Sequence, residues 1–436
     1  MQDEVAEAER RIAGFFGGTQ GLAQLSELYH ANGFLAEARG CYAALAELQP
    51  REGRWTYRHA MISAGYGELE LANELLNATV RRVPDYRPGH VRRGDILLKM
   101  GDLEGAAAAF GLVQAQSAGE PYSLLGLARC DIEKGDWTAA RHKLEAVMTA
   151  THNALGYDLI VPVYEHLGLS ERAEHARGRS KASGAFRDMA DRWMDELNDR
   201  CFDPFHLSVS AGAAQARGDT SMARRWLERA ISLAPQSEAF RFQLAMLLTQ
   251  MGELKEARVE LERCTRLAPK FADGWAHLYG VLNSLGEEQA AQRAFAEGLI
   301  NCPDSPGLHR MRAKQLVAVG RLDEAVPHFR TSIRLRPTEA GAYIELAMTL
   351  MKLGQMDAGM AEFHQALVAE PDHPLVLTAL AFQAIRTRDE HEATRWLRRA
   401  RQQPRVPRDE FDALVTAFLQ TFGREPDLHL PSAVKD

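Results

Sequence analysis

Apolar residues recur at helical spacing in two sets within each stretch of 34 residues, and a glycine separates the two sets. In residues 238–271, numbered from Glu238 as position 1, the sets are Leu244, Ala245 and Leu248, then Ala257, Leu261 and Cys264. This spacing predicts two amphipathic helices. Gly252 between them can take the left-handed conformation that ends a helix, and Pro269 marks the end of the second helix. Each stretch therefore predicts a helical hairpin.

The glycines and prolines that end these helices recur along the chain. The glycines are Gly33, Gly67, Gly101, Gly135, Gly218, Gly252, Gly286, Gly320 and Gly354, and the prolines are Pro50, Pro84, Pro235, Pro269, Pro303, Pro337 and Pro371. Position 20 is alanine or glycine in every hairpin, and position 8 is small in most, so the two helices are expected to approach closely. Since one hairpin cannot bury its own apolar face, the hairpins must stack on their neighbours.

One unit resembles the tetratricopeptide repeat (TPR) family in detail. Its matching residues are Trp275, Leu278, Leu282, Gly286, Ala291, Phe295 and Pro303, whereas Tyr279 and Gly298 depart from the family pattern. The resemblance implies an all-α fold, a right-handed α-solenoid of about eleven TPR helical hairpins in two in-phase arrays.

The period fails between the two arrays. Gly168 comes one residue early, and Gly218 follows about sixteen residues late. We expect an N-terminal capping helix (1–18), four repeats (19–153), an irregular repeat plus an inserted helix (154–203), six repeats (204–407), and a capping helix and tail (408–436). The insert places Phe186, Met189, Ala190, Trp193, Met194 and Leu197 on one helical face. That face is interpreted as a packing wedge, with a partner surface around Trp193 as the alternative.

Composition narrows the functional classes. The chain has 436 residues, a net charge of −7 and five scattered cysteines without a C-x-x-C pair. These values argue against a dedicated nucleic-acid binder, a disulfide framework and a thiolate metal site. No apolar run is long enough for membrane insertion, and the amino terminus lacks the parts of a secretory signal. A cytoplasmic location is expected, with a periplasmic or secreted protein lacking its signal peptide as the alternative.

Catalytic and cofactor motifs were not found. The sequence has no phosphate-binding loop of the G-x-x-x-x-G-K-[ST] type, no G-x-S-x-G turn and no H-E-x-x-H helix. We therefore expect a non-enzymatic protein without a cofactor.

The remaining candidate for function is the surface formed by the first helix of each hairpin, called the first-helix face below. In the resembled family this face binds extended peptides or partner helices. Its candidate peptide-binding residues in the early repeats are Arg54, Tyr57, Arg58, Arg92, Tyr122 and Arg129, with Lys99 and Asp95 nearby. Arginines among tyrosines favour an acidic partner segment.

The later repeats offer a more apolar set. Its members are Phe242, Met246, Arg310, Met311, Lys314, Met348 and Phe382, with Gln243, His277, Glu345 and Met351 beside them. Methionine and phenylalanine favour an adaptable peptide-binding surface. Arg310 and Lys314 only partly match the family's clamp for a terminal carboxylate. For both sets, the alternative is a hydrated surface without a ligand.

Three functions are compatible with this pattern. The first is a non-enzymatic scaffold or adaptor that binds a peptide segment or partner protein. The second is a substrate-recruiting subunit of an enzyme complex whose catalytic domain is on another chain. The third, RNA binding by helical repeats, is disfavoured because such proteins usually have a 35-residue period and basic faces throughout. We predict the scaffold.

Overall fold

The structure is a computed structural model that describes residues 1–13, 18–150, 154–182, 189–403 and 405–428. Within these ranges the chain forms twenty-five α-helices and one 3-10 helix, without a β-strand. The predicted all-α class is therefore confirmed, whereas the number of hairpins stays a prediction. Phe186, which we placed on the apolar face of the insert, lies outside the described residues, and so do residues 14–17 of the expected N-terminal capping helix.

The first compact unit spans Met1–Glu253. Its helices are α1 (Gln2–Ala13), α2 (Gly18–Ala31), α3 (Leu35–Leu48), α4 (Gly53–Gly65), α5 (Leu69–Arg82), α6 (Arg87–Lys99), α7 (Leu103–Gln116), α8 (Pro121–Lys134), α9 (Trp137–Ala150), α10 (Ala154–His166), α11 (Ser170–Ala182), α12 (Arg192–Asp195), the 3-10 helix (Glu196–Arg200), α13 (Pro204–Ala216), α14 (Thr220–Leu233) and α15 (Glu238–Gln250).

The second compact unit spans Leu254–Asp436. Its helices are α16 (Leu254–Leu267), α17 (Ala272–Ser284), α18 (Glu288–Asn301), α19 (Pro306–Ala318), α20 (Leu322–Leu335), α21 (Ala340–Lys352), α22 (Met356–Ala369), α23 (Pro374–Arg386), α24 (Glu390–Arg401) and α25 (Arg408–Phe422).

The periodic glycines end the first helix of their hairpins in the predicted way. Gly101 after α6 and Gly286 after α17 have φ angles of 81° and 75°. A residue with a Cβ atom is strained in this left-handed region, which explains why glycine recurs there.

The small residues at positions 8 and 20 lie where the two helices of a hairpin meet. Ala60 on α4 and Ala72 on α5 have no exposed surface, and the same holds for Ala313 on α19 and Ala325 on α20. The helices can approach closely because these positions carry little more than a methyl group.

Each end of the chain carries a packed helix. In the first unit, a Cβ atom added to Gly21 of α2 would lie 2.8 Å from the carbonyl oxygen of Ala8 on α1. The side chain of Ile12 on α1 is 37% exposed. In the second unit, Leu414 and Phe418 of α25 are buried against α23 and α24.

The predicted inserted helix is mostly absent from the part of the insert that the structure describes. Helix α11 ends at Ala182, and only the four residues of α12 and the five of the 3-10 helix are helical between residues 189 and 203. The insert also lies inside the first compact unit, whose boundary falls at residue 253. The predicted domain limits therefore stay a prediction.

Candidate functional site

Residues 189–203, called the docked segment below, lie against the first-helix face of the early repeats. The backbone at both ends of the segment is held by side chains from this face. Asn32 at the end of α2 donates its side-chain amide to the carbonyl of Arg200 at 3.0 Å, and its side-chain oxygen accepts from the N–H of Phe202 at 2.8 Å. At the other end, Tyr86 accepts a hydrogen bond from the N–H of Trp193 at 3.2 Å.

Arg58 on α4 is the buried cation of this contact. Its side chain has no exposed surface, and Nε and Nη2 donate to the carbonyl of Trp193 at 2.9 and 2.6 Å. Nη1 donates to Glu27 at 2.8 Å, and Glu196 of the docked segment lies 3.4 Å from Nη2. A guanidinium so far from water needs this set of acceptors, since an unpaired buried charge is strongly destabilising.

Two tyrosines hold the carboxylate of Asp191. Tyr57 donates its hydroxyl to Oδ2, and Tyr86 donates to Oδ1 at 2.6 Å. Burial, followed by the charge of Asp191, raises the pKa of both phenols, so each stays a proton donor. The indole of Trp193 stacks on Tyr86 with a ring separation of 3.6 Å and meets Tyr57 edge-on at 5.5 Å.

These contacts correct part of the predicted site. Tyr57 and Arg58 do not face an open surface, because neither side chain has exposed area and both contact the docked segment. Arg54 is also engaged, since its guanidinium lies 3.2 Å from Glu196. Trp193 packs against Tyr57 on α4 and against Tyr86, which precedes α6. Sequence reasoning missed Tyr86, Asp191 and Asn32, because the first two are about a hundred residues apart and no local pattern connects them.

The opposite side of the docked segment binds α13 and α14. Asn198 accepts from Ser210 at 3.3 Å and lies 3.0 Å from a ring nitrogen of His206, and Arg217 forms an ion pair with Asp195 at 3.0 Å. Arg229 donates to the carbonyl of Cys201 at 2.8 Å. The docked segment therefore connects the early repeats to the hairpin that follows it in the first unit.

A cavity of about 320 Å³ lies beside the docked segment on the same face. It is called the basic cavity below, and its charged lining residues are Arg92, Asp95, Lys99 and Arg129. Tyr122 and apolar side chains complete the wall, among them Met61, Val91, Ile96, Leu125 and Leu155. Arg129 forms an ion pair with Asp95 at 2.9 Å. Three of the predicted site residues, Arg92, Tyr122 and Arg129, thus lie together.

The surface of α13 and α15 is more apolar. Phe242 and Met246 are half-buried, and Gln243 donates to the carbonyl of Ser208 at 3.0 Å. Phe205 and Val209 on α13 are 69% and 57% exposed. Sequence reasoning missed these two side chains, although both lie on the first-helix face of that repeat.

In the second unit, acidic neighbours engage the predicted cations. Arg310 on α19 donates to Glu345 at 2.7 Å and also bonds Glu339, and the bond to Glu345 is the main reason that the pKa of Arg310 is raised. Lys314 lies 3.6 Å from Glu345. Met348 and Phe382 are 46% and 55% exposed, whereas Met311 is half-buried. This surface is therefore apolar with paired charges.

The described ranges contain neither a metal-binding cluster nor a membrane-spanning helix. No group of three or more histidine, cysteine or carboxylate side chains there has the arrangement of a metal site. In the same ranges, no helix combines the length and the apolar character that crossing a membrane requires.

The comparison with protein families agrees with the repeat pattern. A family model described as "Tetratricopeptide repeat" matches residues 214–282 and 316–382. The recognition of this repeat family from Trp275, Leu278, Gly286 and Pro303 is confirmed.

Curated relatives match parts of the chain at low identity. A TPR repeat-containing protein of Synechococcus elongatus is 24% identical over 214 residues, which are 47% of this chain and 51% of that protein. The human Protein O-mannosyl-transferase TMTC1 is 29% identical over 212 residues, 47% of this chain and 24% of that protein. The chain thus spans about half, or less, of the length of these relatives.

Two solved structures of repeat proteins align with the chain, one of them over most of its length. Yeast Tom70 aligns over 92% of this chain and 94% of its own, with 13% identity and a TM-score of 0.40. YrrB, described as a TPR protein with an unusual peptide-binding site, covers 44% of this chain and 98% of its own, with 18% identity and a TM-score of 0.32. Because both TM-scores are below 0.5, the fold assignment depends on the helices and the family match.

Proposed function

Since this chain carries tetratricopeptide repeats, we propose that it is a non-enzymatic scaffold that binds a peptide segment or partner protein on its first-helix face. The observation that carries this proposal is the basic cavity, whose described lining places Lys99 and Arg129 beside an apolar wall on the first helices of consecutive hairpins. The partner segment that fits this chemistry carries acidic side chains next to apolar ones.

The charges of the basic cavity favour a carboxylate ligand. Lys99 and Arg129 line the cavity, and the pair Arg129–Asp95 leaves the Arg129 guanidinium 37% exposed. A guanidinium binds a carboxylate through two parallel hydrogen bonds, and these are stronger than bonds between neutral groups. Met61, Ile96 and Leu125 add apolar area that a neighbouring side chain of the peptide can cover.

A defined peptide tests the proposal. A fluorescein-labelled decapeptide of alternating glutamate and leucine should bind in fluorescence anisotropy, and the same peptide with glutamine for glutamate should bind at least about tenfold more weakly. The double variant Lys99→Glu/Arg129→Glu should lose the preference for glutamate. Lys255→Glu/Lys270→Glu is the matched control, because it makes the same charge change on exposed residues of the second unit. Equal binding of both peptides by the unaltered protein would contradict the proposal.

A second candidate function is recruitment of substrates to an enzyme on another chain. The observation that favours it is the match to the human relative named a protein O-mannosyl-transferase, which covers 24% of that protein. Cross-linking in native lysate followed by mass spectrometry distinguishes the two functions. A transferase subunit that is captured by the unaltered protein and lost with Lys99→Glu/Arg129→Glu supports this second candidate, and its capture by both proteins counts against a role of the basic cavity.

A further inference from the structure

We propose that the surface formed by Tyr57, Arg58 and Tyr86 is a binding site for an acidic segment with the pattern Asp-x-Trp-x-x-Glu. The chain's own residues Asp191–Glu196 are its resident occupant, and a partner segment with the same pattern can replace them. This site goes beyond the proposed function, because none of its three residues lines the basic cavity.

Each recognised feature of the pattern has its own partner on the face. The carboxylate of Asp191 accepts from two tyrosine hydroxyls, and the indole of Trp193 stacks on Tyr86. The carboxylate of Glu196 lies within 3.4 Å of the guanidinium groups of Arg54 and Arg58. The face therefore offers hydroxyl donors to the first carboxylate, an aromatic ring to the indole and guanidinium groups to the second carboxylate.

The backbone of the resident segment is recognised as well. Arg58 donates two hydrogen bonds to the carbonyl of Trp193, and Tyr86 accepts one from its N–H. Side chains that satisfy both backbone groups of one residue recognise a segment independently of that residue's side chain, as peptide-binding surfaces do. The carboxylates and the indole then add the sequence preference.

Resident and partner segments bind the same groups, so they compete. A tethered segment acts at an effective concentration in the millimolar range. In the unaltered protein the site is therefore occupied when a free peptide arrives. The apparent dissociation constant of the peptide equals its intrinsic value divided by the fraction of molecules whose site is open. Weakening the resident segment, without changing the face, should restore binding of the free peptide.

A complementation experiment tests this proposal. The resident segment is weakened by Asp191→Ala/Trp193→Ala, and a fluorescein-labelled peptide with the sequence of residues 189–196, Met-Ala-Asp-Arg-Trp-Met-Asp-Glu, is added. The variant should bind the peptide at least about 100-fold more tightly than the unaltered protein. A peptide that carries the same two alanines should not bind. Far-UV circular dichroism and thermal unfolding establish that the variant is folded, and Asp191→Asn replaces it if the double variant is not.

A double-mutant cycle assigns the binding to this face. Tyr57→Phe/Tyr86→Phe in the weakened background keeps both rings and removes both hydroxyl donors, so binding should fall at least about tenfold. Replacing the peptide's aspartate by alanine should then cause no further loss. Lys99→Glu/Arg129→Glu should leave this binding unchanged, so that failure here and failure of the proposed function are distinguishable. If the peptide does not bind a folded variant, or binds the unaltered protein equally well, the proposal is wrong.

Discussion

A single backbone angle shows how closely the residues follow the repeat. The first helix of ten hairpins is followed by a glycine with φ between 72° and 88°, but residue 388, which is 34 positions after Gly354, is arginine. Arg388 still adopts a φ of 58°. The left-handed turn is therefore imposed by the packing of α23 and α24, and arginine accepts the strain that glycine avoids.

Replacing this arginine by glycine should stabilise the second unit. Arg388→Gly removes the left-handed strain of about 1–2 kcal/mol, and the greater chain entropy of unfolded glycine offsets part of it, so a net gain of about 0.5–1 kcal/mol is expected. Urea unfolding followed by circular dichroism measures it. The control is Arg386→Gly, which places glycine in the last turn of α23 and should destabilise by up to about 1 kcal/mol. A stability loss with Arg388→Gly would show that its side chain contributes more than its backbone strain costs.

At the scale of the element, the shape of one ring explains two glycines. Phe110 on α7 has no exposed surface, and Cβ atoms added to Gly94 on α6 and to Gly126 on α8 would lie 2.6 and 2.4 Å from its ring. The sequence pattern predicted small residues at position 8, but the requirement for glycine at Gly94 depends on the large residue opposite it. The small residue that the sequence pattern predicts at position 8 is thus the residue that packing against Phe110 requires.

Gly94→Ala should destabilise the first unit although alanine is the better helix former. The added methyl group overpacks against Phe110 at a cost of about 1–3 kcal/mol, which exceeds the gain of about 1 kcal/mol from helix propensity. Gly111→Ala on α7 is the matched control, because no atom lies within 4 Å of its added Cβ and only the gain remains. Thermal unfolding should separate the two variants in opposite directions. A more stable Gly94→Ala protein would mean that the ring of Phe110 moves aside without cost.

The secondary structure of the insert could not be predicted from the spacing of its apolar residues. The broken period predicts an insert in this part of the chain, and the spacing of Met189, Trp193 and Leu197 predicts a helix with one apolar face. The segment forms less regular structure because its polar groups bond to other helices. Asp191 caps α12 by accepting from the N–H of Met194, and its remaining lone pairs go to two tyrosines from earlier repeats. A sequence pattern does not contain such long-range partners.

At the scale of the whole molecule, the fold could be predicted and the site only in part. The 34-residue interval recurs within both arrays, and the repeats share most of their packing residues, so a departure in one repeat does not change the assignment. A binding surface has no such redundancy. Arg92, Tyr122 and Arg129 lie together as expected, but Arg58 and Arg310 pair with carboxylates that come from other elements. Whether an arginine faces a ligand depends on neighbours distant in sequence, which the period does not specify.

Acid should destabilise both compact units through partly buried histidines. Burial, followed by the charge of Arg58, lowers the pKa of His30 in the first unit to about 4, and burial lowers the pKa of His328 in the second. A histidine whose folded pKa is depressed binds its proton better when unfolded. Its contribution to stability is therefore complete above the unfolded value of about 6.5 and is lost as the pH falls below it.

For His30, each pH unit below about 6.5 should remove up to about 1.4 kcal/mol, or about 2 kcal/mol between pH 6.5 and pH 5. The range stops at pH 5 because carboxylates titrate below it. Urea unfolding at pH 7.5, 6 and 5 measures this slope, and His30→Asn should flatten it, because asparagine keeps a polar group near the hydroxyl of Tyr42 but does not titrate. His391→Asn, at a side chain that is 90% exposed, is the control and should leave the slope as it was. The position of His30 beside Arg58 makes the outcome specific: an unchanged slope in His30→Asn would mean that the protonated imidazole finds an acceptor, such as Glu27, that offsets its repulsion from the guanidinium.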